Sequence, residues 1–152
     1  MLPIPSKFKL AVGRGEGPTP LNAFDAALYD AGIGNLNLVR VSSILPPGAR
    51  YFPELEIPPG ALVPTAYGFL KSCEPGKLIA AAIGVGISYG TYGVIMEFEG
   101  FCSREEAETR VRAMVEEGFR LRGLPLCEML VKGIEHRVEQ VGSVIAAAVL
   151  WY

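Results

Sequence analysis

Two serines stand together where a strand-like run stops, and they are the first residues in this chain able to do unusual chemistry. In Asn37-Leu38-Val39-Arg40-Val41-Ser42-Ser43-Ile44-Leu45-Pro46-Pro47-Gly48 the apolar alternation ends abruptly in two hydroxyls and then two prolines. Tandem serines in a loop are most often polar filler. A strand end held against a proline pair can also strain a peptide and bring a hydroxyl toward the preceding carbonyl carbon. Attack by the Ser43 hydroxyl on the Ser42 carbonyl would turn the amide into an ester. Elimination and hydrolysis would then leave Ser43 as a pyruvoyl group, an electrophile that no encoded side chain supplies.

Other chemistries find little support. His136 is the single histidine, so a histidine-based metal site or a Ser-His couple lacks partners, and no metal is expected. It reads as a polar residue on the face of a strand. Gly84-Val85-Gly86 is followed by Gly90 rather than by a glycine at dinucleotide-loop spacing, and no helix follows. These glycines read as points of close backbone approach or bulges. Cys73, Cys102 and Cys127 are odd in number and contain no C-x-x-C pair, as expected for reduced thiols packed as small apolar groups in a cytoplasmic protein.

The elements that must position the serines follow from periodicity. Lys7–Arg14 alternates as a half-buried strand, which Gly13, Gly15, Gly17 and Pro18 are expected to break. Thr19-Pro20 opens a helix, a capping hydroxyl followed by proline at the first helical position. Leu21, Phe24 and Leu28 keep helical spacing until Gly32 and Gly34. Residues 35–43 form a strand, and the proline-rich stretch 44–60 is an irregular connection. Strands follow over 61–70, 78–87 and 91–99. Ser103 with Glu106 makes a capping box at the start of a long helix ending at Gly123. Strands over 127–138 and 143–152 close the chain. About seven strands and two helices, strands mostly following strands, predict one α+β domain with largely antiparallel sheets.

Composition bounds the partners. The 152 residues are half hydrophobic and 20% charged, with a net charge of −2 and a mean hydropathy of +0.31. No basic excess is present to hold a phosphate backbone, so nucleic acid is not an expected partner. The longest apolar run, 144–152, is far short of the roughly 20 residues that cross a bilayer, and no membrane association is expected. The N-terminal residues lack the apolar centre of a signal peptide. Apolar excess in a short chain points to an oligomer.

Over nearly its whole length the chain resembles the pyruvoyl-dependent arginine decarboxylases. The resemblance is carried by Thr19–Asp25, by Ala31 through Pro47 with its Val41-Ser42-Ser43-Ile44-Leu45-Pro46-Pro47 block, and by Gly60–Gly68. Gly93–Gly100 and Ala146–Tyr152 extend it. The resemblance implies an αββα sandwich, self-cleaved between Ser42 and Ser43 into a β chain (1–42) and an α chain (43–152) that begins with a covalent pyruvoyl group. It further implies a homotrimer with sites between neighbouring copies. The implied reaction converts L-arginine to agmatine and carbon dioxide, with the cofactor acting as electron sink.

Residue roles follow from the same resemblance. Glu97 corresponds to the proton donor, and its apolar neighbours Ile95, Met96 and Phe98 would bury it and keep it protonated near neutral pH. A strand glutamate facing water is the plainer alternative. Glu99 shares its periodicity but should be wetter. Asp25 corresponds to the acceptor of the substrate guanidinium, which a carboxylate binds through paired hydrogen bonds. By itself Asp25 would be read as an acid stabilising a helix N-terminus. Asn22 lines the same face. Asn37 corresponds to the residue that assists self-cleavage by donating to the developing oxyanion, although any asparagine in an apolar strand needs a partner. Thr65 and Tyr67 are candidate pocket residues. The turn Ser88–Tyr92 is shorter than the family's. Two rivals are a pyruvoyl decarboxylase of another amino acid, such as histidine or aspartate, and an unprocessed, non-catalytic structural paralogue.

Overall fold

A computed structural model describes residues 1–152. Its elements run β1 (Lys7–Glu16), α1 (Pro20–Asp30), β2 (Asn37–Arg40), β3 (Ile44–Leu45), β4 (Arg50–Tyr51), β5 (Leu62–Ser72), β6 (Leu78–Ile87), β7 (Gly93–Gly100), α2 (Arg104–Arg122), β8 (Glu128–Arg137) and β9 (Gly142–Trp151). The strands form two sheets, one in the order β2-β5-β9-β1-β4 and the other β3-β7-β6-β8. Pairing is antiparallel except for β1 with β4 and β2 with β5. The α+β expectation holds. The connection over 44–60 is not wholly irregular, because it contributes the two-residue strands β3 and β4.

Period-2 alternation builds the layers. Even-numbered residues of β9 (Val144, Ala146, Ala148, Leu150) meet Ile79, Ala81, Ile83, Val85 and Ile95 of the second sheet in the central core. Odd-numbered residues Ile145, Ala147 and Val149 face α1. On the far side Ala80 and Ala82 pack on Ala107 and Val111 of α2, and Val94 packs on Val115 and Phe119. Helix, sheet, sheet and helix therefore stack as αββα. The stack is hydrophobic on both faces of both sheets, which is where the high apolar content goes.

Glycine stripes seat the helices. Gly13 and Gly15 do not end β1, which continues to Glu16. They leave one face of the strand bare so that α1 can lie on the backbone: a Cβ at Gly15 would fall 2.7 Å from the Ala27 nitrogen. Gly84 and Gly86 do the same for α2, where an added Cβ would strike Val111 and Phe119. Both helix starts form as expected. Thr19 accepts from the Asn22 N–H and Ser103 from the Glu106 N–H, each at 3.1 Å. Gly123, at φ +65°, closes α2 in the left-handed conformation.

Two expectations need correction. Cys73 and Cys127 are exposed rather than packed inside, and Cys102 is half-buried. His136 is more than a polar face residue, since its Nε2 lies 2.6 Å from Glu16 Oε2. The same carboxylate accepts the backbone N–H groups of Glu139, Gln140 and Val141, at 3.1, 3.0 and 3.1 Å. One acidic side chain thus ties the end of β1 to the turn between β8 and β9. No helix is long and apolar enough to cross a membrane.

Candidate active site

The serine pair sits where the chain crosses from one sheet to the other. Upstream, β2 pairs with β5 through Arg40 opposite Thr65, and the Val41 N–H donates to the Thr65 carbonyl at 3.1 Å. Downstream, Ile44 of β3 lies opposite Val94 of β7, and the Ile95 N–H donates to the Ser43 carbonyl at 2.7 Å. Both flanks are pinned to different sheets, while the Ser42–Ser43 peptide between them has no backbone hydrogen bond of its own. Ser42 is exposed and Ser43 half-buried. A peptide fixed at both ends with its carbonyl unpaired suits attack by a neighbouring hydroxyl. The residues present therefore fit a group made from Ser43.

Beside this crossing, β7 divides its side chains between two layers. Val94 and Met96 face α2, whereas Ile95 enters the central core and Glu97 and Glu99 follow it on the same face. Glu97 stands two residues, about 7 Å of strand, beyond the residue that holds the Ser43 carbonyl. Opposite lies Gly68 of β5, whose missing side chain makes room for both acids. A Cβ there would fall 2.8 Å from Glu99 Oε2 and 3.1 Å from Glu97 Cγ. Burial pushes the Glu97 carboxyl up from the usual range, the nearby Arg40 cation opposes this, and the Glu99 charge adds to it. Burial also raises Glu99, again against Arg40. Glu97 is half-buried and Glu99 more exposed, as expected.

Arg40, which sequence reasoning passed over, is fixed at the end of β2. Its Nη2 donates to the Tyr67 carbonyl at 2.7 Å, and its guanidinium stacks 4.6 Å from the centroid of the Tyr67 ring. The available signals were a cation two residues before the serine pair and a Glu-x-Glu spacing that sets both acids on one strand face. Tyr67 thus supports Arg40, while the buried Thr65 hydroxyl donates to the Val63 carbonyl at 3.0 Å.

Within a single chain the remaining candidates lie elsewhere. Asp25 is exposed on α1, the layer beyond the first sheet. It is the sixth residue of that helix, and no acid occupies the first turn, so stabilising the helix N-terminus is not its role. Asn22 is engaged in the cap, its Oδ1 accepting the Thr19 hydroxyl at 2.6 Å. Asn37 begins β2, at the opposite end from Ser42, and donates one amide hydrogen to the Gly60 carbonyl at 3.1 Å. The turn over 88–92 is tight, closed by the Thr91 N–H on the Ser88 carbonyl at 3.4 Å with Gly90 at φ +81°.

Fold and site together define a class: an αββα sandwich carrying an unpaired diserine peptide between its sheets, next to a pair of partly desolvated carboxyls. Residues 7–152 match the family model described as pyruvoyl-dependent arginine decarboxylase. The chain is 52% identical over 151 residues to the pyruvoyl-dependent arginine decarboxylase of Methanocaldococcus jannaschii, covering 98% of this chain and 92% of that one. It is 48% identical over 151 residues to that of Pyrococcus horikoshii, covering 97% of this chain and 96% of the other. This chain belongs to the pyruvoyl-dependent arginine decarboxylase family.

Proposed function

We propose that this protein decarboxylates L-arginine to agmatine and carbon dioxide with a covalent pyruvoyl group formed from its own Ser43. The observation that carries the reading is the unpaired Ser42–Ser43 peptide, clamped by the Ile95 and Thr65 backbones. In the processing step the Ser43 Oγ bonds to the Ser42 carbonyl carbon as the peptide C–N bond breaks. Elimination then breaks the Ser43 Cβ–O bond and frees the Ser42 carboxylate, and hydrolysis releases the Ser43 nitrogen as ammonia. The products are a β chain (1–42) and an α chain (43–152). Such a pyruvoyl group, held at the head of the α chain by the Ile95 N–H on the residue-43 carbonyl, would supply an electron sink for decarboxylation of a bound amine.

The chain's own residues supply proton and orientation. Glu97 delivers the proton to the carbon that lost carbon dioxide, and burial favours the protonated form that this step requires. Asp25 accepts the substrate guanidinium through two charge-assisted hydrogen bonds, which favours a cationic over an acidic amino acid. Asn37 retains a second amide hydrogen with which to stabilise the oxyanion of self-cleavage. Asp25 and Asn37 are exposed and remote from the Glu97 of their own chain, so a homotrimer in which each site draws on two copies accounts for them. Exposed Leu21 and Tyr29 of α1, Val39 and Ile44 beside the serines, and Leu62 supply apolar surface for that contact.

Intact-mass spectrometry of the purified protein tests the reading. Two fragments divided at Ser42/Ser43 are expected, together with agmatine formation from arginine. Ser43→Ala should remain a single inactive chain, and its cleavage would place the processing site elsewhere.

A further inference from the structure

Glu97 does not stand alone on its strand face. It shares the Gly68 notch with Glu99, and Arg40 is held over that end of β5 by the Tyr67 carbonyl and ring. Arg40 forms no ion pair within 4.0 Å of either acid, and its Nη2 donates to the Tyr67 carbonyl instead. It therefore acts on both carboxyls through space. The other charged groups beside β7 belong to α2 (Arg110, Glu117 and Arg122) and lie across the sheet, against Met96 and Phe98. On the next strand Ile83 stands opposite Glu97, and Lys132 of β8 lies beyond it. Lys132 shares that sheet face but is exposed two strands away, and the buried core beside the notch is apolar.

We propose that Glu99 and Arg40 are positioning residues that decide where the proton of this site resides, Glu99 carrying the negative charge in the field of Arg40 so that Glu97 keeps the proton it must deliver. Two carboxyls packed against one glycine do not both ionise readily, and the first to lose its proton holds the other protonated. Glu99 is the more exposed and ionises first. Glu97, deeper on the strand, meets burial and the charge of Glu99 together. The Gly68 notch is what brings the acids close, since any side chain there would part them. Arg40 limits the effect and favours the charged form of Glu99 against its burial.

This inference rests on Glu97 as the donor in the proposed reaction, but its test can be read without substrate. The full-length, self-processed protein is labelled with carboxyl carbon-13 glutamate, and the midpoints of Glu97 and Glu99 are followed by NMR. Glu99→Gln should lower the Glu97 midpoint, and Arg40→Met should raise it, each by about one pH unit. Arg40→Lys, which keeps the charge, should return it toward the wild-type value. The alkaline limb of the kcat profile should move the same way, to lower pH in Glu99→Gln and to higher pH in Arg40→Met. A Glu97 midpoint that stays put in either variant, or a Glu99 that titrates above Glu97, overturns the inference. Coupled midpoints in a protein inactive on arginine would instead overturn the substrate assignment and leave the proton partition standing.

Discussion

In the proposed reaction Glu97 supplies the proton, and its half-buried place on β7 suits it to hold one. Its strand alternates between apolar layers, so its carboxyl loses water on the same face that carries Ile95 into the core. Glu97→Gln keeps the shape and the packing but has no acidic proton to give. We expect it to self-cleave normally and to lose about 10²–10⁴-fold in kcat, the usual contribution of a positioned acid. Mass spectrometry and agmatine release measure the two effects separately. At this scale the sequence was informative where a motif was local. The Ser42-Ser43 pair stood out at the end of its strand, and Glu97 was singled out through the family resemblance. Arg40 offered only its place two residues before the serines, because its meaning comes from Tyr67 and Glu97, which are distant in sequence and adjacent only in the fold.

At the scale of elements, stripes of glycine and one acidic clamp set how the layers meet. Gly86 lies under Phe119 and Val115 of α2, with no room for a methyl group. Gly86→Ala should cost about 1–3 kcal/mol through overpacking, read as a lower midpoint in urea unfolding. Glu16 joins β1 to the β8–β9 turn. Partial burial pushes its carboxyl up, but hydrogen bonds from Gln140, His136, Glu139 and Val141 outweigh this and hold it at about 2 against an ordinary 4.5. A depressed carboxyl stabilises the fold above its unfolded value and loses that contribution as pH falls through the folded one. On the order of 1–2 kcal/mol, after solvent screening, should therefore disappear between about pH 4.5 and pH 2. Denaturant titrations of wild type and Glu16→Gln across that window should converge at the acid end. Helix starts at Thr19 and Ser103 were legible from capping, and the extent of β6 from its continuous apolar run. The glycines of β1 were legible only as breakers, since the helix that uses them folds back from later in the chain.

At the scale of the whole molecule, a single copy leaves its proposed substrate anchor and its proton donor on different layers. Asp25 lies on α1 outside the first sheet, and Glu97 lies between the sheets. If each site is shared between copies of a trimer, two defective chains can repair one another. Mixing Asp25→Ala with Glu97→Gln chains under conditions that exchange subunits should restore about a quarter of the wild-type sites. Agmatine production by the mixture measures this, and sedimentation velocity reports the trimer directly. No recovery on exchange would place Asp25 and Glu97 of one chain in the same site.

By itself the sequence determined the α+β class, both helix caps and the abrupt diserine end of a strand. Each of these is written in contacts a few residues apart, where periodicity, capping and chain direction act. The tertiary structure alone decided that β2 and β3 pair with different sheets and leave the serine peptide spanning the gap between them. It alone set Gly68 opposite two glutamates, and turned the glycines of β1 and β6 into seats for helices. The physical reason is the same in every case. Strand pairing and layer packing join residues tens of positions apart, and which side chains then share a low-dielectric space is fixed by the fold rather than by spacing along the chain.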